Sequence, residues 1–239
     1  MERELEGRTA IVTGGTGGLG PAVARALLEA GAHCVITFKS KSRADELDTE
    51  LAGHGYSYTL QSVDILDQNA VDAMVRGVLS ECGQIDILAH LVGGYMGGNE
   101  VQDMPLADWR LMFDLNVNSA FIAFKAVLPA MQARNYGRII AVGSRSAVRI
   151  SPGVSGYTAS KAALLALVES VAEENHARDV TANAVLPSII DTALNRAAMP
   201  KANRDTWPKP EQIAEVFRFL ASDRSGLVSG AAIPVYGHA

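Results

Sequence analysis

An apolar run, Thr9-Ala10-Ile11-Val12-Thr13, leads straight into Gly14-Gly15-Thr16-Gly17-Gly18-Leu19-Gly20, and a helical pattern opens directly after it. A strand that ends in glycines and opens a helix points backbone N–H groups at whatever lies above it. The helix dipole adds partial positive charge at the same place. A Cβ there would block close approach of an anion or forbid the positive φ of the turn. Two registers are legible, Gly15-x-Gly17-x-x-Gly20 and the wider Thr13-Gly14-x-x-x-Gly18-x-Gly20. Both suit a pyrophosphate, and the position between a first strand and a helix favours that reading over a plain tight turn. Pro21 falls in the first helical turn, where its missing N–H costs little.

The rest of the chain fits one architecture. Strands are expected at Thr9–Thr13, His33–Phe38, Ser57–Val63, Ile85–Val92, Arg138–Gly143, Thr181–Leu186 and Ala232–Val235. Helical patterns lie near Leu19–Ala30, Ser42–Gly53, Gln68–Cys82, Leu106–Arg134, Gly156–Ala177 and Pro210–Ala221. Runs such as Ile139-Ile140-Ala141-Val142 are apolar throughout, as in strands covered on both faces. Strand–helix alternation of this kind predicts an α/β fold. It is a single doubly wound Rossmann domain over residues 1–239, with a seven-stranded parallel sheet and helices on both faces.

Composition narrows the function. A net charge of −5 with no run of like charge argues against nucleic-acid binding. Cys34 and Cys82 do not pair in any metal-binding spacing, the five histidines are scattered, and no metal is expected. The charged start lacks the apolar stretch of a signal peptide, and no segment approaches ~20 uninterrupted apolar residues. A cytoplasmic protein with no membrane partner is therefore expected. The stretch Ala159–Val168 is apolar except for Ser160 and Lys161. A helix apolar on nearly all sides must be covered on nearly all sides. Either the Leu106–Arg134 helix or a second copy of the chain covers it, and a homo-oligomer, dimer or tetramer, is the expectation.

Two further groups carry chemistry. Tyr157 and Lys161 stand four apart, on one face of a helix. A tyrosine titrates near ~10, and a neighbouring ammonium would lower that value, so that the phenol could exchange a proton near neutrality. Ser144 closes the fifth strand, at the sheet edge where doubly wound folds bind ligands, and its hydroxyl could hold a carbonyl oxygen. The tip of the second strand, about 20 residues beyond the glycines, selects the dinucleotide. It reads Phe38-Lys39-Ser40-Lys41-Ser42-Arg43, with no acid before Asp45. Lys39, Lys41 and Arg43, helped by a serine hydroxyl, suit a 2′-phosphate, so NADP(H) is favoured over NAD(H). Asp64, closing the third strand, either meets adenine or caps the following helix.

These pieces, with Asp86-Ile87-Leu88, Asn116-Val117, Asn183-Ala184-Val185-x-Pro187, Thr192 and Gly230, stand in an order that resembles the short-chain dehydrogenase/reductase family over essentially the whole chain. The resemblance implies Tyr157 as acid–base and Ser144 as the group that positions a carbonyl. It implies Lys161 on the nicotinamide ribose and Asn116 holding a water beside Lys161. It assigns the dinucleotide to Gly14, Thr16, Gly17, Gly18 and Leu19 of the turn; to Phe38, Lys39 and Ser40; to Asp64 and Ile65; to Val92 and Gly93; to Tyr157 and Lys161; and to Pro187, Ile190 and Thr192. Three positions depart from the family pattern. His90-Leu91-Val92-Gly93 stands where Asn-Asn-Ala-Gly is usual, Ser188 replaces a glycine, and Tyr236 replaces an aspartate.

Chain length is similar to that of 3-oxoacyl-acyl-carrier-protein reductases and small ketone reductases. Gly93–Asn99, Asn195-Arg196, Met199-Pro200 and Trp207 are similar to stretches of dihydropteridine reductases, members of the same superfamily that act on C=N. Tyr95, Met96, Met199 and Trp207 join Ser144 as candidate contacts to a small-molecule substrate, with the segment around 188–209 covering it. A non-catalytic dinucleotide sensor on the same fold is the reading from another class. It has no use for Asn116, Ser144, Tyr157 and Lys161 all in register.

Overall fold

The computed structural model describes residues 3–238. Seven parallel strands form one sheet in the order β3-β2-β1-β4-β5-β6-β7. They are β1 (Thr9–Thr13), β2 (His33–Phe38), β3 (Tyr58–Ser62), β4 (Ile87–His90), β5 (Tyr136–Val142), β6 (Asp179–Pro187) and β7 (Ala232–Val235). The order reverses between β1 and β4, and ligand crevices of doubly wound sheets open at that point.

Alternation along the strands divides the interior in two. Ala10 and Val12, Ile87 and Ala89 face one side. Ile11, Leu88, Ile139 and Ala141 face the other. On the first side the sheet is covered by α1 (Gly20–Glu29), α2 (Lys41–Leu51) and α8 (Pro210–Ala221), whose Leu27, Leu47 and Phe217 are buried there. On the second it is covered by α3 (Gln68–Cys82), α5 (Ser119–Arg134) and α6 (Ser155–Glu174), through Val75, Phe124 and Leu164. With both faces covered, successive positions of a central strand are buried on alternate sides, which is why stretches such as Ala10-Ile11-Val12 and Ile139-Ile140-Ala141 read as unbroken apolar runs.

The expected elements form with small shifts at their ends. Asp67, not Asp64, caps α3, accepting from Asn69 N at 2.9 Å and Ala70 N at 3.3 Å. The long helical pattern is divided into α4 (Leu106–Phe113), a π-helical turn at Asp114–Asn118, and α5. By length and composition Leu106–Arg134 is apolar enough to cross a membrane. In the fold it lays Ala120, Ala123, Phe124, Val127 and Met131 on the sheet. A short helix not anticipated from the sequence, α7 (Ala193–Ala198), follows β6.

Candidate active site

The glycine turn folds as the sequence demands. Gly14 has φ +67°, and a Cβ on Gly20 would lie 2.2 Å from the Gly15 carbonyl oxygen. A Cβ on Gly15 would lie 2.1 Å from Ile36. The turn is closed by Gly17 N to Gly14 O at 2.9 Å and Gly20 N to Gly17 O at 3.1 Å. Among the described residues, the N–H groups of Thr16, Gly18 and Leu19 have no protein acceptor. They lie at the start of α1, so the turn fits a phosphate-bearing cofactor.

The other dinucleotide candidates gather along the same sheet edge. Val92 N would be 3.1 Å from a Cβ on Gly14, so the chain leaving β4 crosses directly against the turn. Thr192 reaches the turn from the far side, its methyl 2.9 Å from where a Gly18 Cβ would stand. Thr192 also caps α7 through Asn195 N at 3.3 Å, and Ile190 O accepts from Thr192 N at 2.8 Å. Pro187 is buried at the end of β6. Phe38, Lys39 and Ser40 form the tip of β2. Lys39 Nζ lies 3.9 Å from Asp64 Oδ2, with both side chains exposed. Asp64 Oδ1 also accepts Leu66 N at 3.1 Å, while Ile65 is buried behind it. Lys41 is paired with Asp45 on its own helix, which leaves Lys39 and Arg43 as the cations at the tip without such an intrahelical partner.

At the centre of the edge stand the proton-transfer candidates. Ser144 follows β5 and caps the 3-10 turn Arg145–Ala147, accepting Ser146 N at 3.1 Å. Its hydroxyl stands close enough to the Tyr157 phenol to act on that group's titration. Burial raises the Tyr157 pKa, against a smaller lowering by the nearby Ser144 hydroxyl. This corrects the expectation of a depressed phenol pKa. Lys161 Nζ is directed to the Val142 carbonyl at 2.8 Å, not onto the phenol. Burial lowers Lys161 to about 7, so near neutrality it is as often amine as ammonium.

Asn116 is fully buried in the π turn. Its Oδ1 accepts Gly94 N at 3.0 Å, and its Nδ2 donates to Gly94 O and to Ser160 Oγ, each at 3.0 Å. The side chain thus clamps the loop after β4 to α6. A Cβ on Gly93 would lie 2.8 Å from Asn116 Oδ1 and 3.1 Å from Lys161 Nζ, so a larger residue there would push on both side chains. A π turn at a functional edge is a recurrent device, because the extra residue re-aims the side chains around it. Ser160 had no expected role. Its Oγ donates to Tyr157 O at 2.9 Å and ties Asn116 to α6. Its polarity in an otherwise apolar helix was the available signal.

Tyr95 stands edge-on to Tyr157, with ring centroids 5.0 Å apart and planes at 75°. It is 69% exposed, so it borders the phenol as an open wall. Met96 and Met199 are half-buried. Trp207 corrects another expectation. It is buried at 6% exposure, in a stretch held by Asp191 N to Pro208 O and His238 N to Thr206 O, and it serves to pack the 188–209 segment.

The sequence profile of the short chain dehydrogenases matches residues 8–203. The chain belongs to this family. It is 31% identical over 241 residues to the 3-oxoacyl-[acyl-carrier-protein] reductase of Vibrio cholerae, covering 98% of this chain and 97% of the relative. It is 33% identical over 242 residues to the enzyme of the same name from Pseudomonas aeruginosa, with the same coverage. A short-chain dehydrogenase/reductase from Serratia marcescens superposes with a TM-score of 0.89 at 30% identity, covering 98% of both chains. This short-chain dehydrogenase is therefore an NAD(P)-dependent oxidoreductase.

Proposed function

We propose that the protein is an NADP(H)-dependent reductase of a carbonyl compound, of 3-oxoacyl or small-ketone type, with Tyr157 as general acid–base. The observation that carries this reading is the closeness of two hydroxyls, Ser144 and Tyr157, on the carboxyl edge of the sheet that also carries the glycine turn. The dinucleotide, held by the turn, the tip of β2 and the residues around Pro187, Ile190 and Thr192, supplies or accepts a hydride. The chain's own residues handle the oxygen and the proton. Ser144 and Tyr157 both donate to the carbonyl oxygen, which fixes the carbon in place. A phenol held protonated by burial is a competent acid for an oxygen that gains negative charge. It gives its proton as the C=O becomes CH–OH. Lys161, one helical turn from Tyr157 and bonded to Val142 O, is the titratable neighbour that returns a proton to the phenolate. Asn116 and Ser160 hold Gly94 and the α6 backbone so that these groups stay aligned.

Preference for NADP(H) rests on Lys39 and Arg43 in a β2 tip sequence, Phe38–Arg43, that carries no acid of its own. The 188–209 segment covers the substrate. Leu106, Leu111 and Phe121, at 60%, 40% and 50% exposure, leave the outer face of α4 and α5 apolar, which supports a homo-oligomer, dimer or tetramer, in the cytoplasm. A second reading, a dihydropteridine-type reductase acting on C=N, is favoured by one observation, the open Tyr95 ring beside Tyr157, on which a flat heterocycle could stack. A screen that follows NADPH absorbance with acetoacetyl thioesters, diketones, quinones and quinonoid pterins decides between them. Turnover of thioesters or ketones supports the first reading. Turnover of pterins alone overturns it.

A further inference from the structure

Three buried polar side chains form a directed chain behind the glycine turn. Thr13 Oγ1 accepts Leu91 N at 3.3 Å and lies 2.9 Å from His90 Nδ1. His90 Nε2 lies 3.2 Å from Ser119 Oγ, and Ser119 gives its one proton to Leu115 O at 2.6 Å. Ser119 must therefore accept from His90, so the ring carries its proton on Nε2 and accepts the Thr13 hydroxyl on Nδ1. All three side chains are 0% exposed. Phe124 closes the ring's flank edge-on at 5.9 Å.

The ends of this chain are the two halves of the site. Thr13 is the last residue of β1 and the first of the turn, and it is the register partner of His90 across the switch point. Leu115 belongs to the π turn that carries Asn116. Leu115 also fills the space over Gly94, 2.6 Å from where a Cβ would be, and Asn116 clamps that glycine from the other side. The segment Leu91–Gly94 is thus bounded by the turn at one end and by the π turn at the other. His90 bonds Thr13 at the foot of the glycine turn and Ser119, which bonds the π turn through Leu115 O, and it stands where the family pattern has asparagine.

We propose that His90 is a positioning residue that couples the glycine turn to the π turn, so that order at the dinucleotide cradle and order around Asn116 and Lys161 depend on each other. A histidine that only filled space would leave the two ends independent. In a network that acts as a unit, loss of either end disturbs both.

The test removes one end and reads the other. Ser119→Ala, which leaves every residue of the glycine turn in place, should weaken NADPH binding about fivefold, the size of one lost hydrogen bond. It should also raise amide hydrogen exchange at residues 14–19. Thr13→Val should raise exchange at residues 114–118, and Thr13→Ser, which keeps the hydroxyl, should restore it. The double variant Thr13→Val/Ser119→Ala should bind NADPH no more weakly than the weaker single variant. If Thr13→Val does not fold, His90→Asn, whose side chain can keep the Thr13 arm and loses the Ser119 arm, should reproduce Ser119→Ala. Wild-type affinity and turn exchange in Ser119→Ala, or strictly additive effects in the double variant, would overturn the coupling.

Discussion

Lys161 should be a liability to the fold, and replacing it should stabilise the protein. The side chain is 3% exposed, and burial takes its pKa from the ordinary 10.5 to about 7. In the unfolded chain it keeps its proton up to the ordinary value. Between the two values the unfolded state binds more protons, so this group raises stability as pH climbs from about 7 toward 10.5. Below that window both states are protonated and the full penalty of the buried ammonium is present. The linkage relation puts the penalty at about 4 kcal/mol at pH 7 and about 2 kcal/mol at pH 9. Lys161→Met keeps the stem's volume and removes the charge. It also removes the bond to Val142 O at 2.8 Å, leaving that carbonyl unpaired at a cost of about 1–3 kcal/mol. The variant should therefore be inactive yet more stable than wild type by about 1–3 kcal/mol at pH 7, with its advantage shrinking by about 2 kcal/mol at pH 9. Urea unfolding of both proteins at the two pH values measures this, provided the m-values agree. A stability difference that is the same at both pH values would refute the account of Lys161 as a buried, readily deprotonated group.

Three other outcomes follow from the same geometry. Gly20→Ala places a methyl 2.2 Å from a backbone oxygen that cannot yield; it should destabilise the fold by about 3 kcal/mol and abolish dinucleotide binding, read by thermal unfolding and titration. Lys39→Glu should weaken NADPH binding about tenfold, as loss of one charge-assisted contact does, while leaving NADH affinity within about twofold; tighter NADH than NADPH binding in the wild type would already contradict the assignment. Phe121→Glu puts a charge on the exposed apolar face of α5 and should reduce the mass seen by light scattering, whereas a wild-type monomer would show that this face has no partner copy.

The fold was legible because its signals are local and repeated. Unbroken apolar strands and glycines where a Cβ would strike backbone each act within a few residues. The site was legible where spacing alone brings groups together, as with Tyr157 and Lys161 on one helical face. It was less so where an outcome depends on a contact across the fold. Lys161 of α6 bonds the carbonyl of Val142 on β5, and that choice removes the expected pull on the phenol. Asn116 turns onto Gly94 because a π turn re-aims it, and no periodicity in Leu106–Arg134 announces that turn. Trp207 is apolar and lies within the 188–209 segment proposed to cover the substrate, yet the backbone bonds of Thr206 and Pro208 turn it inward. His90 read as a scattered histidine, since its partners Thr13 and Ser119 come from two other elements.

The central claim is that the Tyr157 hydroxyl delivers the proton. Tyr157→Phe removes that oxygen and little else. The variant should bind NADPH within about twofold of wild type and lose at least about a thousandfold in turnover of whichever substrate the wild type reduces, in line with the loss of a general acid in a preorganised site. Turnover near the wild-type rate, with binding intact, would contradict the claim.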